Sequence, residues 1–262
     1  SPYKLLIMLV KFLKVSFPLS LLAASFSSFS ATQSVWYFPN ASDEQRQGFI
    51  RIVNNSNQSG TVTISGTDEQ GVAGDPVTFT LGAFETKSLN SNDVQNGNAN
   101  KGLNDSFGEG TGAWRLNVDS SLDFDLLAYM RTPDGFLTSV HDTVAQQQGV
   151  YQVPVFNPAS NTNQVSRLRI SNLEAAATSV DITGIDDGGA QMGPITVNID
   201  AGNTLELTAV DLEQGNQQKG IATGLGDGQG KWRLEVTPQG AVTVVNLLTD
   251  PNGYLTNLST PA

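Results

Sequence analysis

The sequence predicts an all-β protein: two tandem antiparallel β-sandwich modules of immunoglobulin-like size, preceded by a signal peptide. Three observations predict it: the composition, a gapless internal repeat, and short alternating apolar and polar runs divided by turn residues. Of 262 residues, 39% are hydrophobic and only 15% charged, with 26 glycines and 11 prolines. Asn, Gln, Ser, Thr and Gly take the place of charge, a mix that suits strands and tight turns.

The first element is residues 1–30. Lys4, Lys11 and Lys14 accompany an apolar run, broken by Pro18, that ends in small residues. Basic residues, an apolar stretch and small residues at the end describe a signal peptide, and Ser28 and Ser30 supply the small side chains needed before a cleavage point after Ser30. The first residue is not Met, so the reading frame is expected to begin further upstream. The apolar part is too short and too rich in serine for a membrane span, and no later stretch is long and apolar enough for one. The mature chain is therefore expected to carry no span and to be secreted or held at the cell surface.

Removing that segment, which holds three lysines and no acid, takes the formal net charge from −11 to −14. Such a surface repels phosphate backbones and excludes nucleic acid as a partner. With no cysteine, disulfides, thiol chemistry and Cys-based metal sites are excluded as well.

The repeat sets the organisation of the rest. FPNASDEQRQGFIRIVN, from Phe38, lies over FNPASNTNQVSRLRISN, from Phe156, a shift of 118 that holds without a gap. Trp114 falls on Trp232, Asp93 on Asp211, Lys101 on Lys219 and Pro133 on Pro251. Roughly three positions in ten are identical, which only duplication explains. The modules are placed at 31–148 and 149–262, joined by the polar stretch from Ala145 to Gln152, which is too short for a loose linker.

Within the second copy, strands are predicted at Tyr151–Phe156, Ser166–Asn172, Ser179–Gly184, Pro194–Ile199, Thr204–Leu207, Lys231–Val236, Ala241–Leu248 and Tyr254–Leu258. In RLRI, Leu168 and Ile170 point one way and Arg167 and Arg169 the other, the period-two signature of a strand with one apolar and one solvated face. One helical turn is expected, Val210–Gln214 ending at Gly215, with a counterpart from Asn92. Asp93 with Lys101, and Asp211 with Lys219, are expected to pair locally around these turns.

RQGFIRIVN, YMRTPDGFLTSVHD, FNPASNTNQVSRLRISN, GDGQGKWRLEV and GYLTNLST resemble paired β-rich modules found at the C-terminal ends of large secreted proteins of Gram-negative bacteria. The resemblance spans nearly all of the mature chain. It implies secretion, a bacterial source and an accessory role, and no catalytic activity.

The residues themselves offer little chemistry. His141 is the only histidine; no GxSxG elbow accompanies it, so a surface role is expected and a hydrolase ranks third among the readings. One histidine and no cysteine exclude ordinary zinc sites. Calcium is the one cofactor left open, with Asp68 and Glu69, Asp186 and Asp187, and Glu109 and Asp227 as candidate ligands, although none sits in a DxDxDG pattern and hairpin turns account for them more simply. GDGQGKWRLEV, from Gly226, superficially suggests a phosphate loop. Its duplicate GEGTGAWRLNV, from Gly108, replaces the lysine with Ala113, and WRLEV alternates as a strand, so the glycines are expected to serve tight turns before a core tryptophan.

Binding surfaces remain. Tyr129 and Arg131, two apart on one strand face, form a common recognition pair for proteins or sugars, or alternatively a junction contact between the modules. Val35, Trp36, Tyr37 and Phe38 lie in a segment that could complete another subunit's sheet or belong to its own module. The expected function is non-catalytic binding or surface attachment, to a glycan, an envelope component or a protein. The alternative is a fibre or coat subunit that self-associates by strand complementation.

Overall fold

The computed structural model describes residues 30–140, 145–146 and 149–259. The predicted signal segment, apart from Ser30, and His141 lie outside the described residues.

The chain is all-β. The first repeat supplies strands β1 (Ala31–Phe38), β2 (Gln47–Asn54), β3 (Gly60–Thr67), β4 (Val77–Leu81), β5 (Thr86–Asn90), β6 (Trp114–Ser120), β7 (Phe124–Arg131) and β8 (Leu137–Ser139). The second supplies β9 (Ala145–Gln146), β10 (Tyr151–Phe156), β11 (Val165–Asn172), β12 (Thr178–Asp186), β13 (Gln191–Ile199), β14 (Thr204–Thr208), β15 (Trp232–Pro238), β16 (Val242–Thr249) and β17 (Leu255–Asn257). They form four antiparallel sheets ordered β1-β6-β3-β4, β5-β2-β7-β8, β10-β15-β12-β13 and β14-β11-β16-β17, so that each pair of sheets repeats the other's topology. All eight strands predicted in the second copy are present, with shifted ends.

Alternation puts the apolar side chains between the sheets. In β2, Ile50 and Ile52 are fully buried and face Val62 and Ile64 of β3 and Leu116 and Val118 of β6 in one core. In the second repeat Leu168 and Ile170 meet Val180, Ile182, Leu234 and Val236 in the same way. Both helical turns also form, α1 at Ser91–Asn96 and α2 at Ala209–Gln214. Each opens with a reciprocal capping box, Asn90 with Asp93 and Thr208 with Asp211, which satisfies amides that the first turn leaves open. Lys101 Nζ lies 2.5 Å from Asp93 and Lys219 Nζ 2.7 Å from Asp211, so these pairs close locally as the spacing predicts.

Two features of the region between the repeats stand out. Just before the boundary predicted between residues 148 and 149, Ala145 and Gln146 pair with Thr243 and Val242 of β16. β11 occupies one edge of β16 and the three-residue β17 covers only Leu247–Thr249 on the other. The uncovered length of that edge presents open backbone groups, which the arriving chain pairs. The second concerns Arg169, which points away from its own core as expected but is 3% exposed. Its face is packed against the first repeat instead of water.

Candidate functional site

The acidic turns come first, because the sequence marked them as ligands. Asp68 Oδ1 accepts the amides of Gln70 and Val72, and its Oδ2 accepts Thr111 N. Asp186 does the same with Ala190 and Gln229, and these backbone amides hold its carboxyl below the usual range. Asp187 accepts Lys231 N at 2.8 Å, and Glu69 accepts Ala113 N at 3.1 Å. Each pair thus staples its hairpin to the glycine-rich loop that leads into the core tryptophan. Glu109 and Asp227 line separate polar clefts of about 460 and 420 Å³ at equivalent places in the two repeats. Among the described residues, no group of three or more Asp, Glu, His or Cys converges as a metal site would require.

The glycine loops act as the repeat suggested. Gly226 and Gly230 have φ of 83° and 72°, and a Cβ on Gly228 would lie 2.6 Å from the Trp232 ring. The loop turns sharply and lies flat on the indole. A difference lies beneath: Trp232 Nε1 donates to Glu213 at 2.8 Å, whereas the first repeat has Gln95 there and Trp114 Nε1 has no partner among the described residues.

Tyr129 and Arg131 stand on the outer face of β7. Tyr129 stacks on Phe49 of β2, with ring centroids 5.1 Å apart and planes within 6°. The Arg131 guanidinium lies 5.0 Å over the same Phe49 ring and donates to Gln47 at 3.2 Å. Arg131 also lines, with Glu44, Arg46, Gln47, Thr132 and Pro133, a depression of about 210 Å³. The ring and hydrogen-bond partners named here for both side chains, Phe49 and Gln47, lie in β2 of the same sheet. Phe49, which the sequence reading missed, holds the pair together; its cross-strand register with Tyr129 was the available signal.

The junction is made by the equivalent face of the second repeat. Leu247, which stands where Tyr129 stands, is 1% exposed and joins the first repeat's core with Val245 and Leu255. Their burial stabilises by about 1.5–3 kcal/mol each. Arg169 Nη2 reaches Glu69 at 2.6 Å, its Nη1 reaches Glu206 at 2.7 Å, and its guanidinium lies 4.8 Å over the Tyr37 ring. Burial opposes charge on Arg169, yet Glu69 and Glu206 outweigh it and raise its pKa. Burial likewise pushes the Glu206 carboxyl up, but Arg169 and Arg167 hold it below the usual range. Thr204 N donates to Glu69 O at 2.9 Å, and Arg115 donates to Gly202 O.

Val35, Trp36, Tyr37 and Phe38 lie in β1, which pairs with β6 of its own sheet. Val35 and Phe38 are fully buried and Tyr37 lies under Arg169, so this segment is engaged in its own module and at the junction.

On the first repeat the equivalent face is exposed. Leu127 is 41% exposed where Val245 is 2%, Leu137 is 56% exposed where Leu255 is 3%, and Arg51 is exposed where Arg169 is buried. Fold and site together define a protein of paired β-sandwiches with one sheet face covered by its duplicate and the matching face open. No protein-family model matches the chain, and no curated protein does. Among solved structures it is similar to a β-glucuronidase 2 of Bacteroides uniformis covalently bound to cyclophellitol-6-carboxylate aziridine, at 13% identity and a TM-score of 0.18. That alignment covers 87% of this chain and 25% of the glucuronidase. No helix among the described residues is long and apolar enough to cross a membrane.

Proposed function

We propose that the chain is an exported, non-catalytic binding protein that recognises a protein or glycan partner at the cell surface through the outer face of β2, β5 and β7. One observation carries this reading: Leu127, Arg51 and Arg131 are exposed beside the half-buried Phe49–Tyr129 stack, while the second repeat buries Val245, Arg169, Thr249 and Leu247 where Leu127, Arg51, Arg131 and Tyr129 stand. Exposed apolar area beside planar cations suits recognition, since rigid rings add contact area at small entropic cost and arginines select acidic or aromatic groups. Export is supported by the basic and apolar pattern of residues 1–30 and its small-residue end. Asp68, Glu69, Asp186 and Asp187, four of the residues a calcium reading would use, are engaged by backbone amides of their turns and glycine loops. The test is capture of ligands from cell-envelope fractions and glycan arrays by the chain and by Y129A/R131A. Capture that the double variant loses is the expected result. Inertness towards every fraction, or capture indifferent to the substitutions, overturns the reading.

A further inference from the structure

We infer that the partner of this face is a second copy of the chain, docked through the surface of its second repeat that matches the surface the first repeat uses at the internal junction. The inference rests on the binding reading of that face given above.

The contact between the repeats is heterologous. One repeat presents an outer sheet face with Arg169, Val245, Leu247 and Leu255, and the other presents Tyr37, Glu69 and Arg115. A head-to-tail contact between two similar units always leaves one face of each kind unused, and repeating it yields a ring or an open chain. Here the unused head is the face around Arg51 and Leu127, beside β8, where the preceding Phe136 already meets Tyr254 of the second repeat. The unused tail is found at the counterparts of Tyr37, Glu69 and Arg115, namely Val155, Asp187 and Arg233. All three are exposed.

One ion pair of the junction is kept across these two surfaces, while Ser88 stands where Glu206 stands and Val155 where Tyr37 stands. Arg51 stands where Arg169 stands and Asp187 where Glu69 stands, so the central cation and carboxylate of the junction are kept on the two open faces. Val155, 39% exposed, and Pro154 offer an apolar patch to Leu127 and Tyr129.

Phe84 adds an independent sign. It is 67% exposed on the turn entering β5, and it is the one described residue other than glycine with positive φ, at 55°. A bulky side chain held in that region is strained, and such strain marks positions kept for a purpose beyond the fold. Its counterpart is Gly202, which packs on Gly71 at the junction. Gly189, the counterpart of Gly71, is an exposed turn glycine with nothing within 4 Å of its Cβ position.

Sedimentation velocity of the full chain across a concentration series tests the inference. Reversible association is expected, ending at a dimer if the contact closes and continuing to longer species if it does not. R51E and D187N should each weaken association about tenfold, and the double variant no further, because both remove one pair. D187N keeps the oxygen that accepts Lys231 N, so its turn is preserved. F84G should weaken association while leaving thermal stability equal or higher, since glycine relieves the strained φ. A chain that stays monomeric throughout, or association indifferent to all three substitutions, overturns the inference. Capture of a foreign protein or glycan by a chain that does not self-associate also overturns it while leaving the binding reading intact, and loss of both defeats that reading too.

Discussion

Arg51 and Arg169 occupy the same register position in the two copies, and replacing each in turn by methionine isolates the junction. Methionine keeps an apolar stem and removes the guanidinium. In R169M, Glu206 retains Arg167 at 2.6 Å, but Glu69 is left without a cation and Tyr37 loses the charge over its ring. Breaking a buried pair from one side costs about 3–5 kcal/mol. Both carboxylates keep 28% side-chain exposure and can regain water, so the expected loss is about 2–3 kcal/mol. For a chain of this size that lowers Tm by roughly 5–10 °C. Arg51 is exposed and donates to Ser88 at 3.1 Å, so R51M should cost at most about 0.5 kcal/mol. Scanning calorimetry of the two variants at neutral pH makes the comparison, and strand propensity cancels because both positions are central in equivalent strands. Equal shifts, or a stabilised R169M, would refute the assignment of Arg169 to a coupled junction cluster.

Three further outcomes follow from the same contacts. The Glu206 carboxyl is lowered from 4.5, and those of Asp93 and Asp211 from 3.8; in each burial acts upward and is outweighed by basic or amide partners. A depressed native pKa contributes stability that is present above the unfolded value and lost as pH falls through the native one. Tm should therefore decline as the pH drops below about 4.5, more shallowly in R169M, and a Tm that rises on acidification would contradict it. Q95E gives the Trp114 indole N–H the carboxylate that Trp232 has in Glu213, so it should stabilise by about 1 kcal/mol in urea unfolding, with E213Q costing about as much; a destabilised Q95E would show that the indole is satisfied otherwise. G228A forces a Cβ to within 2.6 Å of the Trp232 ring and should cost about 1–3 kcal/mol, read as a lower urea midpoint, whereas an unchanged midpoint would mean the loop lifts freely from the indole.

The sequence by itself determined the strands and the duplication. Alternation in RLRI and WRLEV fixes which side chains turn inward, because the period of a strand leaves each residue only two faces to choose between. Glycines at Gly226, Gly228 and Gly230, matched in the first copy, were legible as turn and tryptophan contacts because both copies keep them while the lysine changes. The candidate site was legible only in part. Tyr129 and Arg131 were found as a pair, but Phe49 lies eighty residues away and meets them only through the register of β2 on β7. What only the tertiary structure decided is which outward face is wet. Arg51 and Arg169 carry the same local signature, yet one is exposed and the other is enclosed by Glu69, Glu206 and Tyr37. Strand periodicity records the direction of a side chain and says nothing about what packs beyond it; that depends on the heterologous contact between the repeats, which covers one of two like faces and leaves the other exposed.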